Sequence, residues 1–216
     1  MVWDFPTRAF HWLLLFAVAG AWFSGDNEIW EWHARFGTMA LGLIVFRIIW
    51  GFCGHAPSRF AQFLVGWQAL RTYVVSLIAS AKSRSHAPWF THNPLGGLSV
   101  LALLGVLLMQ ATSGLFSESD ALFAGPFAIY FPILTEAAQE VHQLGAELIM
   151  FLVALHLAAI IAHRWLFGET LVTRMWRGGD AVSHAANLPP PTPQRTRLGV
   201  FLMLVCLGAS SSLLWL

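Results

Sequence analysis

Charge is what this sequence has least of. Of 216 residues, 11% are Asp, Glu, Lys or Arg, 57% are hydrophobic, and the mean hydropathy is +0.64. Soluble domains carry about 25% charged residues, so an ordinary water-soluble fold is excluded. Low charge combined with 14% aromatic residues also excludes disorder. Cysteine is nearly absent: Cys53 and Cys206 stand far apart and form no C-x-x-C. That removes a disulfide framework, an iron–sulfur site and a thiolate zinc site. A net charge of +1 leaves no electrostatic footprint for nucleic acid. What the chain does have in quantity is tryptophan, eleven of them, and nine histidines.

A bilayer core takes about 20 mostly apolar residues per helix. Apolar runs at 9–24, 33–52, 95–116 and 138–167 predict four spans, the third opened by Asn93-Pro94. A fifth run, 198–216, follows a Pro-rich linker over 179–197. The expected fold is therefore an all-α integral membrane protein. A four-helix core occupies residues 1–178, followed by an additional C-terminal span. The first run carries His11 and Trp12 at its start and shows no cleavage-site pattern, so it is expected to stay in the protein. Residues 59–82 place Phe60, Phe63, Leu64, Trp67, Leu70, Val74, Leu77 and Ile78 at helical spacing among Arg59, Gln62 and Arg71. This pattern predicts an amphipathic helix on the membrane surface, with a sixth span as the rival reading.

The segments 25–32 and 117–140 lack Lys and Arg altogether and hold Asp26, Glu28, Glu31, Glu118, Asp120, Glu136 and Glu140. The opposite side collects Arg8, Arg59, Arg71, Lys82, Arg84, Arg164, Arg174, Arg177, Arg195 and Arg197. Basic residues concentrate in the cytoplasm, which predicts a cytoplasmic N-terminus; Arg35 is the single exception. Trp3, Trp12, Trp30, Trp32, Trp50, Trp89, Trp165 and Trp215 fall near span ends, as an interfacial belt predicts.

Ionisable side chains inside spans are costly and mark function. Four histidines qualify: His11, His33, His142 and His156. His142 and His156 lie nearly four turns apart on one face, a rise of about 21 Å. The predicted topology sorts the four into an outer layer, His33 with His142, and an inner layer, His11 with His156. Two facing imidazoles per layer suit axial ligation of one haem iron per layer. His163 competes with His156 for the inner position. His55, His86, His92 and His184 are expected at the surface. Arg47 lies 14 residues after His33 on the same face. It either meets an inner haem propionate or snorkels to the cytoplasmic surface.

Val2-Trp3-Asp4-Phe5-Pro6-Thr7-Arg8-Ala9-Phe10-His11-Trp12, Trp32-His33-Ala34-Arg35-Phe36-Gly37, Phe46-Arg47-Ile48-Ile49-Trp50-Gly51, His92-Asn93-Pro94-Leu95-Gly96-Gly97, Leu155-His156 and Gly168-Glu169 together resemble the bacterial cytochrome b561 family, which also contains the cytochrome b subunits of nickel–iron hydrogenases. The resemblance covers residues 2–178. It implies a bacterial inner-membrane core with two b haems, and the motif positions imply the same pairing, His11 with His156 and His33 with His142. It also implies electron exchange between the quinone pool and a periplasmic or membrane partner, such as a c-type cytochrome or a dehydrogenase or hydrogenase subunit. Two rival functions stay open. One is a superoxide- or quinone-dependent oxidoreductase acting alone, and the other is a haem-free anchor or transporter. Residues 178–216, with their extra span, depart from the family pattern.

Overall fold

The computed structural model describes residues 3–83, 93–119, 123–178 and 191–215. Lys82 and Ser83 are described in backbone only. Arg84, His86, Trp89, His92, Asp120, His184 and most of the Pro-rich linker lie outside the described residues. Among the described residues seven α-helices follow in order: α1 Phe5–Asp26, α2 Trp30–Cys53, α3 Trp67–Ser83, α4 Pro94–Gly114, α5 Thr135–Phe167, α6 Leu171–Arg177 and α7 Pro193–Ser211. A two-residue antiparallel ladder, β1 Glu118–Ser119 with β2 Phe123–Ala124, closes the turn between α4 and α5.

Helix starts are written in the sequence. Asp4 caps α1 by accepting from Thr7 N (2.9 Å), and Asn93 caps α4 by accepting from Gly96 N (2.7 Å). Thr192 caps α7. Each cap is followed by a proline in the first turn, where a missing N–H costs nothing. Gly168 and Gly178, at φ 69° and 91°, end α5 and α6 in the left-handed region that glycine alone enters without penalty.

Among the described residues four helical segments are long and apolar enough to cross a membrane: Trp30–Cys53, Pro94–Gly114, Pro132–Phe167 and Pro193–Trp215. The chain is a multi-pass membrane protein. The 22 residues of α1 have the length for a fifth crossing, but Arg8, His11 and Asp26 dilute their apolar character. At 1.5 Å per residue α5 is about 50 Å long, well beyond a hydrocarbon core of about 30 Å, so it tilts or emerges.

Two helix pairs, α1 with α2 and α4 with α5, meet through α2 and α4. α2 is the central helix, with 56% of its apolar window buried, against 11% for α5. α7 lies along α2 and reaches α1. Gly42 makes that approach possible, because a Cβ there would stand 2.8 Å from the Cys206 carbonyl and collide with Ser210 Oγ. Among the described residues α5 packs closely on α4 but not on α1 or α2. The seam between the two pairs is thus loosely packed, and all four span histidines sit on the helices that border it.

The region 59–82 differs from its expected continuous helix. Helix α3 begins only at Trp67, and the stretch before it forms short 3₁₀ turns at Ala56–Ser58 and Phe60–Gln62. The reason is packing. Phe60 and Phe63 turn into the core, 8% and 2% exposed, and Phe60 fills the space left by the missing side chain of Gly51. From Trp67 onward the segment is an amphipathic helix. Two other expectations are corrected. Trp50 is not an interfacial residue but a core one, 1% exposed and stacked on Phe46. His55, expected at the surface, is buried.

At one end of the bundle the segment before α1 meets the end of α6: Trp3 N donates to the Gly178 carbonyl at 3.3 Å.

Candidate functional site

His33 lies in the first turn of α2 and His142 in the third turn of α5. Their rings face each other edge-on across the seam, with centroids 5.9 Å apart and planes at 80°. Each ring is fixed by Nδ1. His33 Nδ1 donates to the Ala21 carbonyl of α1 (2.8 Å), and His142 Nδ1 donates to the Gln110 carbonyl of α4 (3.0 Å), with Ser113 Oγ at 3.2 Å. Both rings rest against glycines. A Cβ on Gly25 would stand 2.8 Å from His33 Nδ1, and one on Gly114 would stand 2.8 Å from His142 Cε1. An imidazole whose Nδ1–H is held by a carbonyl is locked in the tautomer that presents a lone pair at Nε2, the form in which histidine binds a metal.

The second pair is built at the other end of the seam. His11, in the second turn of α1, has His156 of α5 within electrostatic reach. His11 Nδ1 is buried and has no hydrogen-bond partner among the described residues. His163, the competitor for this position, has its Nδ1 on Glu169 Oε2 at 2.8 Å. The left-handed turn at Gly168 folds Glu169 back onto His163. Tyr73 of α3, 4% exposed, borders this pair. Burial, and secondarily the Glu169 carboxylate, push its hydroxyl up to about 12.

Arg47 does not snorkel. It is 2% exposed, stacks its guanidinium over Phe60 at 4.9 Å and faces the carboxylate of Asp4. Asp4 is itself buried and also accepts from Trp50 Nε1 at 3.0 Å. Arg47 Nη1 nevertheless lacks a hydrogen-bond partner among the described residues. Asp4 and Trp50 are members of this site that sequence reasoning did not single out. The available signal was an acidic residue capping the helix that carries His11.

The residues fit a planar metallocycle. Opposed imidazoles, Nδ1 atoms spent on carbonyls, glycines under both rings of one pair and buried unpaired donors near the other are what such a group requires. Among the described residues no cluster of three or more His, Cys, Asp or Glu side chains could hold a bare metal ion.

Comparison with known proteins gives one finding of family rank. The family described as prokaryotic cytochrome b561 matches residues 2–178. No curated protein and no solved structure matches the chain.

Proposed function

The chain belongs to the prokaryotic cytochrome b561 family, membrane b-type cytochromes of electron transfer, and from that premise we propose that it holds two b haems and carries electrons across the bilayer. His33 and His142 would hold the iron of the outer haem, and His11 and His156 that of the inner one. Arg47, through its free Nη1, is a donor to an inner haem propionate. The observation that carries this reading is the opposed pair His33 and His142, with each Nδ1 bound to a carbonyl of a neighbouring helix.

Haem supplies the one-electron chemistry, and the protein supplies ligands, orientation and tuning. The Ala21 and Gln110 carbonyls fix the ring planes of His33 and His142 and raise the basicity of Nε2. The apolar faces of α2 and α4 exclude water from the path. The same carbonyls hold their protons throughout, so ligation at this end needs no proton movement.

The reading places the N-terminus in the cytoplasm of a bacterial inner membrane. On that side Arg59 Nε and Arg195 Nη1 both donate to the Gly54 carbonyl, each at 2.9 Å, joining the ends of α2 and α7. Quinone is the membrane redox partner, and a c-type cytochrome or a dehydrogenase or hydrogenase subunit is the protein partner.

A superoxide-consuming enzyme acting alone would want a cationic funnel at its outer end. The one cation there, Arg35, is paired with Glu31, beside exposed Asp26 and Glu28. A haem-free anchor or transporter would not need opposed histidines held by carbonyls.

The test is a pyridine haemochrome assay with a reduced-minus-oxidised spectrum on the detergent-purified protein. Two low-spin b haems per chain are expected, one of them lost in His142→Ala and the other in His156→Ala. A chain that binds no haem when haem is supplied would sink the proposal.

A further inference from the structure

Three buried donors crowd one face of α1. Arg8 precedes His11 by one turn, and Trp12 follows Arg8 by one turn, so all three project to the same side. Arg8 Nε, His11 Nδ1 and Trp12 Nε1 are each buried without a hydrogen-bond partner among the described residues. Native proteins leave few such groups, and each is destabilising unless something answers it. Three within two turns point to an acceptor that is not part of the chain.

The surroundings hold these donors in place and do not satisfy them. Arg8 spends Nη1 on the Trp176 carbonyl of α6, at 2.7 Å. Trp12 packs its ring against the Trp176 ring, with centroids 5.3 Å apart and planes at 78°. Trp176 thus orients both side chains. The nearby carboxylates are committed: Asp4 to Thr7 N and Trp50 Nε1, and Glu169 to His163. Among the described residues no carboxylate forms an ion pair with Arg8.

A guanidinium N–H and an indole N–H are donors only. Together, beside a cation, they call for an anionic oxygen, and the charge-assisted bond to a carboxylate is the strong form. We infer that Arg8 and Trp12 bind one propionate carboxylate of the haem whose iron His11 takes. This rests on the inner haem proposed above and adds a second anchor, with Arg47 left for the other carboxylate. Arg8 and Trp12 are positioning residues: they would hold the bound haem in one orientation, and the Arg8 charge would favour its reduced, more negative state.

The experiment uses the full chain, stripped of haem and reconstituted with haem b or with its dimethyl ester, which lacks free carboxylates. With haem b, Arg8→Met and Trp12→Phe should each speed transfer of one haem to apomyoglobin about tenfold, the equivalent of one lost charge-assisted bond. Arg8→Met should also lower the midpoint potential of that haem and leave the other unchanged. Arg8→Lys, which keeps the charge, should retain most of the potential. With the diester, parent and variants should release haem alike. The inference is overturned if the variants hold haem b as the parent does. It is also overturned if they accelerate loss of the diester equally, which would mean lost packing or a lipid phosphate as the acceptor. His11→Ala separates the two levels. If it retains both haems, the haem assignment itself fails, whatever the Arg8 variants show.

Discussion

His33 and His142 confront each other at 5.9 Å from helices that do not pack together. Each is steered by a third helix: α1 offers the Ala21 carbonyl to His33, and α4 offers the Gln110 carbonyl to His142. Four helices therefore set the geometry of two rings. A change in any of the four should be felt at the ligands.

Glycine under the rings is the first place to look. Gly114→Val would drive a side chain into His142, and Gly25→Val would do the same to His33. Each should cost the Nδ1 bond, about 1–3 kcal/mol for a buried donor. One low-spin haem should then fall in occupancy while the helical circular dichroism is kept. Absorbance at the low-spin bands, normalised to protein, checks this.

The Asp4 knot is a stability element. Asp4→Asn removes the carboxylate charge near buried Arg47 and weakens the acceptor of both Thr7 N and Trp50 Nε1, at about 1.5–3 kcal/mol per bond to a charged group. Trp50→Phe loses only one hydrogen bond to Asp4, about 1.5–3 kcal/mol for a bond to a charged group. Thermal unfolding in detergent should rank the parent above Trp50→Phe, and Trp50→Phe above Asp4→Asn.

Helix α7 lies outside the family match, yet it is seated on the most buried helix of the core. Gly42→Val would force the two apart or strain the core, at about 1–3 kcal/mol for overpacking. The expected result is a lower melting temperature with both haems still bound. Haem loss in step with melting would mean that α7 shapes the cofactor sites as well.

Tyr73 predicts a stability change at high pH. Its hydroxyl is raised from 10.0 to about 12 in the folded protein. A raised value means that the folded state holds its proton more tightly than the unfolded state does. The stabilisation is fully present below pH 10 and is lost as pH climbs through about 12. Unfolding followed across that window should show stability falling, with a shallower fall in Tyr73→Phe.

Much of this architecture was legible in the residues. Apolar runs of membrane length announce the spans, and Asn93-Pro94 marks the start of the third. The four histidines stand out because an ionisable group in lipid is expensive. Three things were not legible. The partners of His33 and His142 are main-chain carbonyls, which every residue possesses and no side chain betrays. The charge near Arg47 comes from Asp4, distant in sequence and unmarked by any local pattern. The segment before Trp67 has the spacing of a helix, but Phe60 and Phe63 gain more by burial under α2 than by lying on the surface, so tertiary packing overrides the local pattern.

The bond from Trp3 N to the Gly178 carbonyl brings the two ends of the family-matched core to one point. Viewed as a path through space, the core is a closed circuit, and α1 is its first helix only by convention of the chain. A short peptide joining residue 178 to residue 3, with the chain opened in a surface connection instead, would leave the packed pairs among α1 to α6 in place and release only α7. The arrangement of histidines is then a property of the circuit and not of the order in which its helices enter the bilayer.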